Sequence, residues 1–474
     1  MTLNAGSALN AAGIAARETA GAPAPGKAAD RPRGVRRGDA IRELKKRDNY
    51  TNFRHIAFVY LVIAASIGLT IWSYGAVAAA GLGWWWNIPA TLLCIAVVGA
   101  SQHQFGGVIH EGTHFILFEN KILNELASDW LGGFPIYTST FQYRLHHLAH
   151  HQFINDPLRD PDWAQLNESG HDLDFPITHF EMLKELGKQL WLPNLFRYML
   201  VRARYSALGT DNNPYMDRER KGERLPTLMG VIYAVTAPAA AITLIKLGHG
   251  AWAFAALGVT TAVAVAYFYF LDEEKLPHAH VETVISHRTT NISRILYMAI
   301  LYSALTGIEV AGWGPAWAYF GLLWILPLFT AFPLFMIMRQ WVQHGNADRG
   351  RYTNTRVFLV NPFIRYAVFP FGMDYHLPHH VFASVPHYKL KGLHELLLQD
   401  SDYREKGVVV EGYFNSPHGK VEERNPTVIE VLGERYAPKP DGDVYVDTET
   451  LEYAKVSDAG AIARENEASL RDGK

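Results

Sequence analysis

The chain is expected to be an all-α integral membrane protein. It should have four to six transmembrane helices, a histidine-box cap on their cytoplasmic side and a small C-terminal appendage. Three observations predict this: long uncharged runs paired as hairpins, basic residues gathered before the first run, and histidines in short clusters at helical spacing beside those runs.

No Asp, Glu, Lys or Arg occurs from Ile56 to Gln102. Gly81-Leu82-Gly83, Trp84-Trp85-Trp86 and Asn87-Ile88-Pro89 interrupt that run, so it reads as two spanning helices joined by a short turn. The tryptophans belong at headgroup level. Pro226–Ile245 and Gly250–Leu271 form a second such hairpin, and Val310–Met338 is ample for one more span. Ile295–Ile308 is shorter and ends at Glu309; it suits a span, a half-span or an interfacial helix. Arg31, Arg33, Arg36, Arg37, Arg42, Lys45, Lys46 and Arg47 precede the first span and mark that side as cytoplasmic. The second and third histidine clusters share a side only if an even number of spans separates them. That leaves four or six spans and disfavours five.

The rest of the chain is divided by composition. Residues 1–50 read as a disordered basic tail without the apolar core of a secretory signal. Residues 51–400 form the membrane and metal-binding domain, and 401–474 a charged cytoplasmic appendage with strand-like Val408–Tyr413 and Val444–Tyr453. Phe180–Tyr205 and Tyr388–Gln399 have the spacing of amphipathic helices lying on the cytoplasmic face. A net charge of −2, without a basic patch interleaved with aromatics, gives no sign of nucleic-acid binding. The one cysteine, Cys94, falls in an expected span, which excludes disulfides and thiolate metal ligation.

His147-Leu148-Ala149-His150-His151 recurs in form as His376-Leu377-Pro378-His379-His380. Positions i, i+3 and i+4 share a helix face, so each run presents three imidazoles to one point. With 21 histidines in 474 residues, a random HxxHH is expected roughly 0.04 times. His110-Glu111-Gly112-Thr113-His114 adds two at i and i+4. One catalytic zinc takes three protein ligands; eight or nine converging histidines would serve two ions. Two redox metals beside a membrane point to dioxygen chemistry on a lipid-like substrate. The first run also satisfies HExxH, with Glu111 as general base on a zinc-bound water, the pattern of an intramembrane zinc protease. That reading leaves six box histidines unexplained.

These motifs resemble the membrane-bound fatty acid desaturase/hydroxylase superfamily, the all-histidine di-iron enzymes. The resemblance runs over roughly residues 50 to 400. It is carried by His110-Glu-Gly-Thr-His114, by Tyr143-Arg144-Leu-His-His147-Leu-Ala-His150-His151 with Asn155-Asp156-Pro157 and Asp160-Pro161-Asp162, and by Tyr375-His376-Leu-Pro-His379-His380 with Val385-Pro386. Arg339-Gln-Trp-Val-Gln-His344-Gly matches the place where relatives carry a further histidine, followed by Thr355-Arg356. Glu111, Asp374 and Ala383 depart from the residues common there, and the segment holding His278, His280 and His287 lies outside the usual pattern.

The resemblance implies a metal-ligand set of His110, His114, His147, His150, His151, His344, His376, His379 and His380. His146 faces another side of its helix and is expected to be a neighbour. Glu111, Asp156, Asp160 and Asp162 are candidates to hold the outer ring nitrogens, with turn formation the alternative for Asp160 and Asp162. Arg144 would pair with one of these acids or with a substrate headgroup. It further implies two Fe2+ ions, dioxygen as co-substrate, a lipid substrate taken from the bilayer and an external electron donor of ferredoxin or cytochrome b5 type. The expected setting is the cell's inner (plasma) membrane with the boxes facing the cytoplasm. The product is an alkene or, by the same centre in a hydroxylase or ketolase of a lipid or isoprenoid, an oxygenated chain.

Overall fold

Hydrophobic length decides the framework. The computed structural model describes residues 33–208, 213, 215–217, 220, 222–281, 283–416, 424–438, 444, 445 and 447. Helix α1 (Arg33–Leu44) falls in the basic segment and carries an Arg42–Asp39 pair at 3.1 Å. Most of the strand expected at Val444–Tyr453, and all of residues 1–30, lie outside the described residues.

Among the described residues six helical segments are long and apolar enough to cross a membrane. They are α2 (Thr51–Ala79), α3 (Ile88–Thr113, with the turn Trp84–Asn87 before it), and a segment Ala316–Gln343, together with three helices from the middle of the chain. Six is the higher of the two counts the sequence allowed, and the short run Ile295–Ile308 lies within one of the six. Trp84, Trp85 and Trp86 stand exposed at the α2–α3 turn, as interfacial tryptophans do.

Burial separates the spans by role. In α3 67% of the apolar window is buried, against 22% in α2, so α3 runs through the middle of the protein. Its second half is lined with polar groups, Ser101, Gln102, His103, Gln104, His110 and Glu111, that a lipid-facing helix could not carry. Two glycines let neighbours come close. A methyl on Gly107 would sit 2.6 Å from Phe371, and one on Gly112 would sit 2.2 Å from Ser128 Oγ. Gly112 therefore costs helix propensity but seats α4 (Lys121–Ser128) against the end of α3.

Beyond α4 the chain builds a polar cap. Helix α5 (Thr140–Gln152) is capped by Ser139, whose hydroxyl accepts from Gln142 N–H, and α6 (Pro161–Ser169) by Asp160. Helices α7 (His179–Lys188) and α8 (Leu192–Leu208) follow, in the stretch expected to be amphipathic. Helices α9 (Leu225–Lys246), α10 (Gly250–Phe270) and α11 (His287–Val310) then make a separate bundle. Ala237, Ala241, Ala253 and Ala264 are buried in it, small residues that let membrane helices approach without a polar seam.

The last span is not a continuous α-helix. A π-type turn, Gly321–Ile325, precedes Pro327, and a second, Asp129–Gly133, precedes Pro135. Proline lacks the N–H and crowds the carbonyl four residues back, so the preceding turn widens. The span resumes as α12 (Ala331–Gln343), ending beside His344. Strand β1 (Arg356–Leu359) follows, then α13 (Pro362–Val368), α14 (His376–Val381) and α15 (Leu390–Leu397). Strand β2 (Val408–Glu411) falls within the expected strand and pairs parallel with β1, Arg356 opposite Val408. The protein is thus an all-α membrane protein with almost no sheet.

Candidate metal centre

Each histidine cluster sits where a helix ends or turns inside the cap. His110 lies in the last turn of α3 and His114 caps it; His147, His150 and His151 lie along α5. His344 caps α12, and His376, His379 and His380 lie on the short α14. The turn before α14 takes left-handed backbone at Phe371 (φ 45°) and Gly372 (φ 75°), and Phe371 there packs against Gly107 of α3.

The nine rings gather in two groups. His110, His114, His147, His151 and His379 form one, and His150, His344, His376 and His380 the other; within each, one nitrogen per ring lies within 4.8 Å of all the rest. All nine are buried. The groups adjoin, the rings of His151 and His380 stacking at 4.3 Å. Across the groups' interiors Nε2 faces Nε2: 3.0 Å for His114–His147, 3.2 Å for His151–His379, 2.9 Å for His344–His376 and 3.1 Å for His376–His380.

The outer nitrogens decide which way the lone pairs point. His150 Nδ1 donates to both oxygens of Asp160 at 2.9 and 3.1 Å. His151 Nδ1 donates to Asp447 at 3.1 Å, and His344 Nδ1 to the Asn354 carbonyl at 3.0 Å. A ring that donates from Nδ1 carries its lone pair on Nε2, here aimed at the neighbouring imidazoles. Several acceptor nitrogens turned on one another, in a site closed to water, are unfavourable unless a cation lies among them. Neither ring nitrogen of His110 has a hydrogen-bond partner among the described residues. The donor set therefore fits metal, with imidazole suited to iron, zinc or copper.

Burial keeps these rings neutral. It holds His114, His147, His376, His379 and His380 well below the ordinary histidine range, the charge of nearby histidines adding to the effect. His344 is likewise held well below, by burial and by the charge of His150. His150 is the exception: burial pulls it down, but the charge of Asp160 and its hydrogen bond outweigh this and raise it. Depressed histidines bind protons less when folded than when unfolded, so stability falls as pH drops below about 6.5, the unfolded value. His150 contributes in the opposite sense, and six depressed rings outweigh it. Melting curves of the metal-free chain between neutral and acid pH should show a transition that moves down on acidification. A transition that holds or rises would show that these rings do not stay neutral.

The remaining expected site residues divide. Glu111 is buried, with Oε1 3.8 Å from His110 Nδ1 and Oε2 accepting from His387 N–H at 2.9 Å. Asp160 both caps α6, accepting from Asp162 N–H, and holds His150. Asp162 accepts from His146 Nε2 at 2.7 Å and from Arg202 at 2.9 Å, and lies 3.8 Å from His150 Nδ1. His146 belongs to neither group, as its position on α5 suggested. Asp156 contacts none of the nine rings: it pairs with Arg159 and Arg349 and organises its own loop. Arg144 pairs with none of the four expected acids. It is fully buried and grips Glu125 from two nitrogens (2.5 and 3.2 Å), the Gly112 carbonyl (2.8 Å) and the Thr113 carbonyl (3.0 Å). Thr355 and Arg356 do the same at the end of α12, donating to the carbonyls of Gln343, Val342 and Asn346. His278, His280 and His287 lie in neither group.

Sequence reasoning missed Asp447, Asn354 and Glu125. Nothing in the pattern pointed to Asp447, 296 residues from the ring it holds. Asp447→Ala should free His151 to rotate or change tautomer and lower metal affinity about 10- to 100-fold. Metal retained after dialysis against a chelator measures this, and unchanged retention would show that the contact does not matter.

Comparison with known proteins agrees with the site. The chain matches the family Fatty acid desaturase over residues 83–301 and 283–411, more than half its length, and it belongs to that family. It is 28% identical over 116 residues to the dihydrorhizobitoxine desaturase of Bradyrhizobium elkanii, covering 24% of this chain and 29% of that one. It is 31% identical over 114 residues to the Delta(5) fatty acid desaturase fat-4 of Caenorhabditis elegans, covering 24% and 23%. Each aligned stretch therefore spans less than a third of the curated relative.

Proposed function

We propose that this protein is a membrane-bound non-heme di-iron oxidoreductase that desaturates a fatty-acyl or related lipid chain. The observation that carries the reading is the pair of buried all-histidine groups, each drawn from at least three separated segments of the chain. Family membership and two relatives named as desaturases support it. When bound, the two irons would supply the reduction of dioxygen and the removal of hydrogen from an unactivated C–H bond.

The chain's own part is positioning and exclusion. His110, His114, His147, His151 and His379 would hold one ion, and His150, His344, His376 and His380 the other. Asp160, Asp447 and the Asn354 carbonyl fix three rings with their lone pairs inward. Burial of all nine keeps bulk water from the reacting groups. Electrons would come from an external carrier, a ferredoxin or a cytochrome b5 type. The substrate enters from the bilayer. On this reading residues 51–400 bear the membrane and metal-binding part, residues 401–474 append to it, and the cap faces the cytoplasm from the inner membrane.

Metal analysis on the purified chain tests the centre: about two irons per chain are expected from nine imidazoles, and one zinc without iron overturns it. Mass comparison of lipid extracts from cells with and without the gene tests the reaction. A loss of two hydrogens supports desaturation. A gain of one oxygen overturns desaturation in favour of hydroxylation by the same centre.

A further inference from the structure

Arg339 is a cation in an unusual place. It lies on α12 inside the last span, 8% exposed, and no carboxylate among the described residues lies within ion-pair distance of it. Its guanidinium hydrogen-bonds the Tyr143 side chain, but among the described residues its Nε has no partner, and neither does Nε2 of the adjacent, equally buried Gln340, whose Oε1 accepts from the Tyr198 hydroxyl. Ionisable groups within spans are costly and are found facing a partner or a cavity. Here both residues line one narrow cavity, with an open volume of ≈ 30 Å3, whose wall also includes His147, His150, His344 and His376.

Charge gives the cavity a preference. Nine neutral imidazoles bring no negative charge to two divalent ions, and of the three carboxylates that line the cavity Asp160 is engaged by His150, Asp162 by Arg202 and His146, and Asp172 is exposed. Arg339 adds one more positive charge to the same chamber. A buried guanidinium without a counter-charge is unfavourable, and its planar fork matches a carboxylate. The cavity's open volume has room for about two waters, and so for a small polar group.

We propose that Arg339, with Gln340, is the anchor for a carboxylate on the substrate, and that this carboxylate enters the chamber shared with the histidine groups. The inference rests on the di-iron reading and narrows its substrate class: a free acid whose reacting carbon lies near its carboxylate, rather than a neutral ester with the carboxyl far from the metals. Arg339 contacts the substrate and selects it; it holds none of the iron.

The test uses the full-length iron-loaded chain in detergent, with hexanoate and methyl hexanoate as probes in calorimetric titrations. Hexanoate should bind more tightly than its ester. Arg339→Gln should weaken hexanoate about 10- to 100-fold, the loss of a charge-assisted hydrogen-bonded pair, and leave the ester unaffected. Arg339→Lys, which keeps the charge without the fork, should recover part of the loss. Iron per chain should be equal in all three proteins, which separates a binding defect from a folding one. Equal binding of acid and ester, or unweakened hexanoate binding by iron-loaded Arg339→Gln, overturns the anchor and leaves the di-iron reading intact. A wild-type chain that takes up no iron overturns the reading beneath it.

Discussion

Replacing His379 by alanine should remove one ion and all activity. His379 belongs to the five-ring group and faces His151 at 3.2 Å, so its loss leaves a gap on the side where α14 closes against α5. His380→Ala strikes the four-ring group, which would keep three rings. Each variant should fall from about two irons per chain toward one, the ion count that nine imidazoles imply. Product formation should drop to the background of membranes without the protein. His171→Ala is the comparison: His171 is buried and contacts Ser169, but belongs to neither group, so iron content should be unchanged. The other comparison site, His418, lies outside the described residues. Iron analysis and product mass decide the matter. Equal iron loss in the His171 variant would mean that the boxes hold no special place.

Arg144→Ala should be the most destabilising single change in the cap. Its guanidinium carries four acceptor contacts at once, two on Glu125 and two on the carbonyls that end α3, and it stacks 4.0 Å from the Phe115 ring. Removing one partner of a buried pair leaves the other charge uncompensated, at about 3–5 kcal/mol. That is a large share of the stability of an ordinary domain, about 5–15 kcal/mol. The two uncovered carbonyls add to the cost. Arg144 precedes His147 by one turn of α5, so the same contacts hold the end of α3 against the second box. Arg144→Lys keeps the charge but cannot reach four acceptors, and should recover little. Thermal melting in detergent with iron analysis reads both effects. A change under about 1 kcal/mol, the range of exposed ion pairs, would show that the pair is not closed off from water.

Much of this was legible in the sequence because membrane physics leaves few choices. An uncharged run of some twenty residues has to be a helix, and an HxxHH on a helix has to turn three rings one way. The first rule gives the long spans, with their number left at four or six, and the second gives the two triplets of rings; His344 entered only through the family resemblance. What the sequence hid depends on contacts between distant segments. Asp156 and Asp160 sit in the same kind of Asx-Pro turn, yet only Asp160 reaches a ring; Asp156 is taken by Arg159 and Arg349. Arg144 looked for a partner among those acids, while the structure supplies Glu125 from α4, an ordinary acid in an ordinary helix. Asp447 lies in the stretch expected to be strand-like, where nothing marked it as the partner of a ring. Local pattern fixes which way a side chain leaves its helix, and tertiary packing fixes what it meets.

The division of ligands between the two groups bears on how the protein is made. Before the last span leaves the ribosome, the nascent chain already holds His110, His114, His147 and His151, four of the five rings of one group. Of the other group it holds only His150; His344, His376 and His380 arrive with the final third of the chain. Three imidazoles are enough to bind zinc, so on the di-iron reading the early quartet would be open to another metal while translation continues. The late group would not be. On the di-iron reading, order of synthesis would therefore set an order of loading, with the early quartet formed before three of the other group's four rings exist.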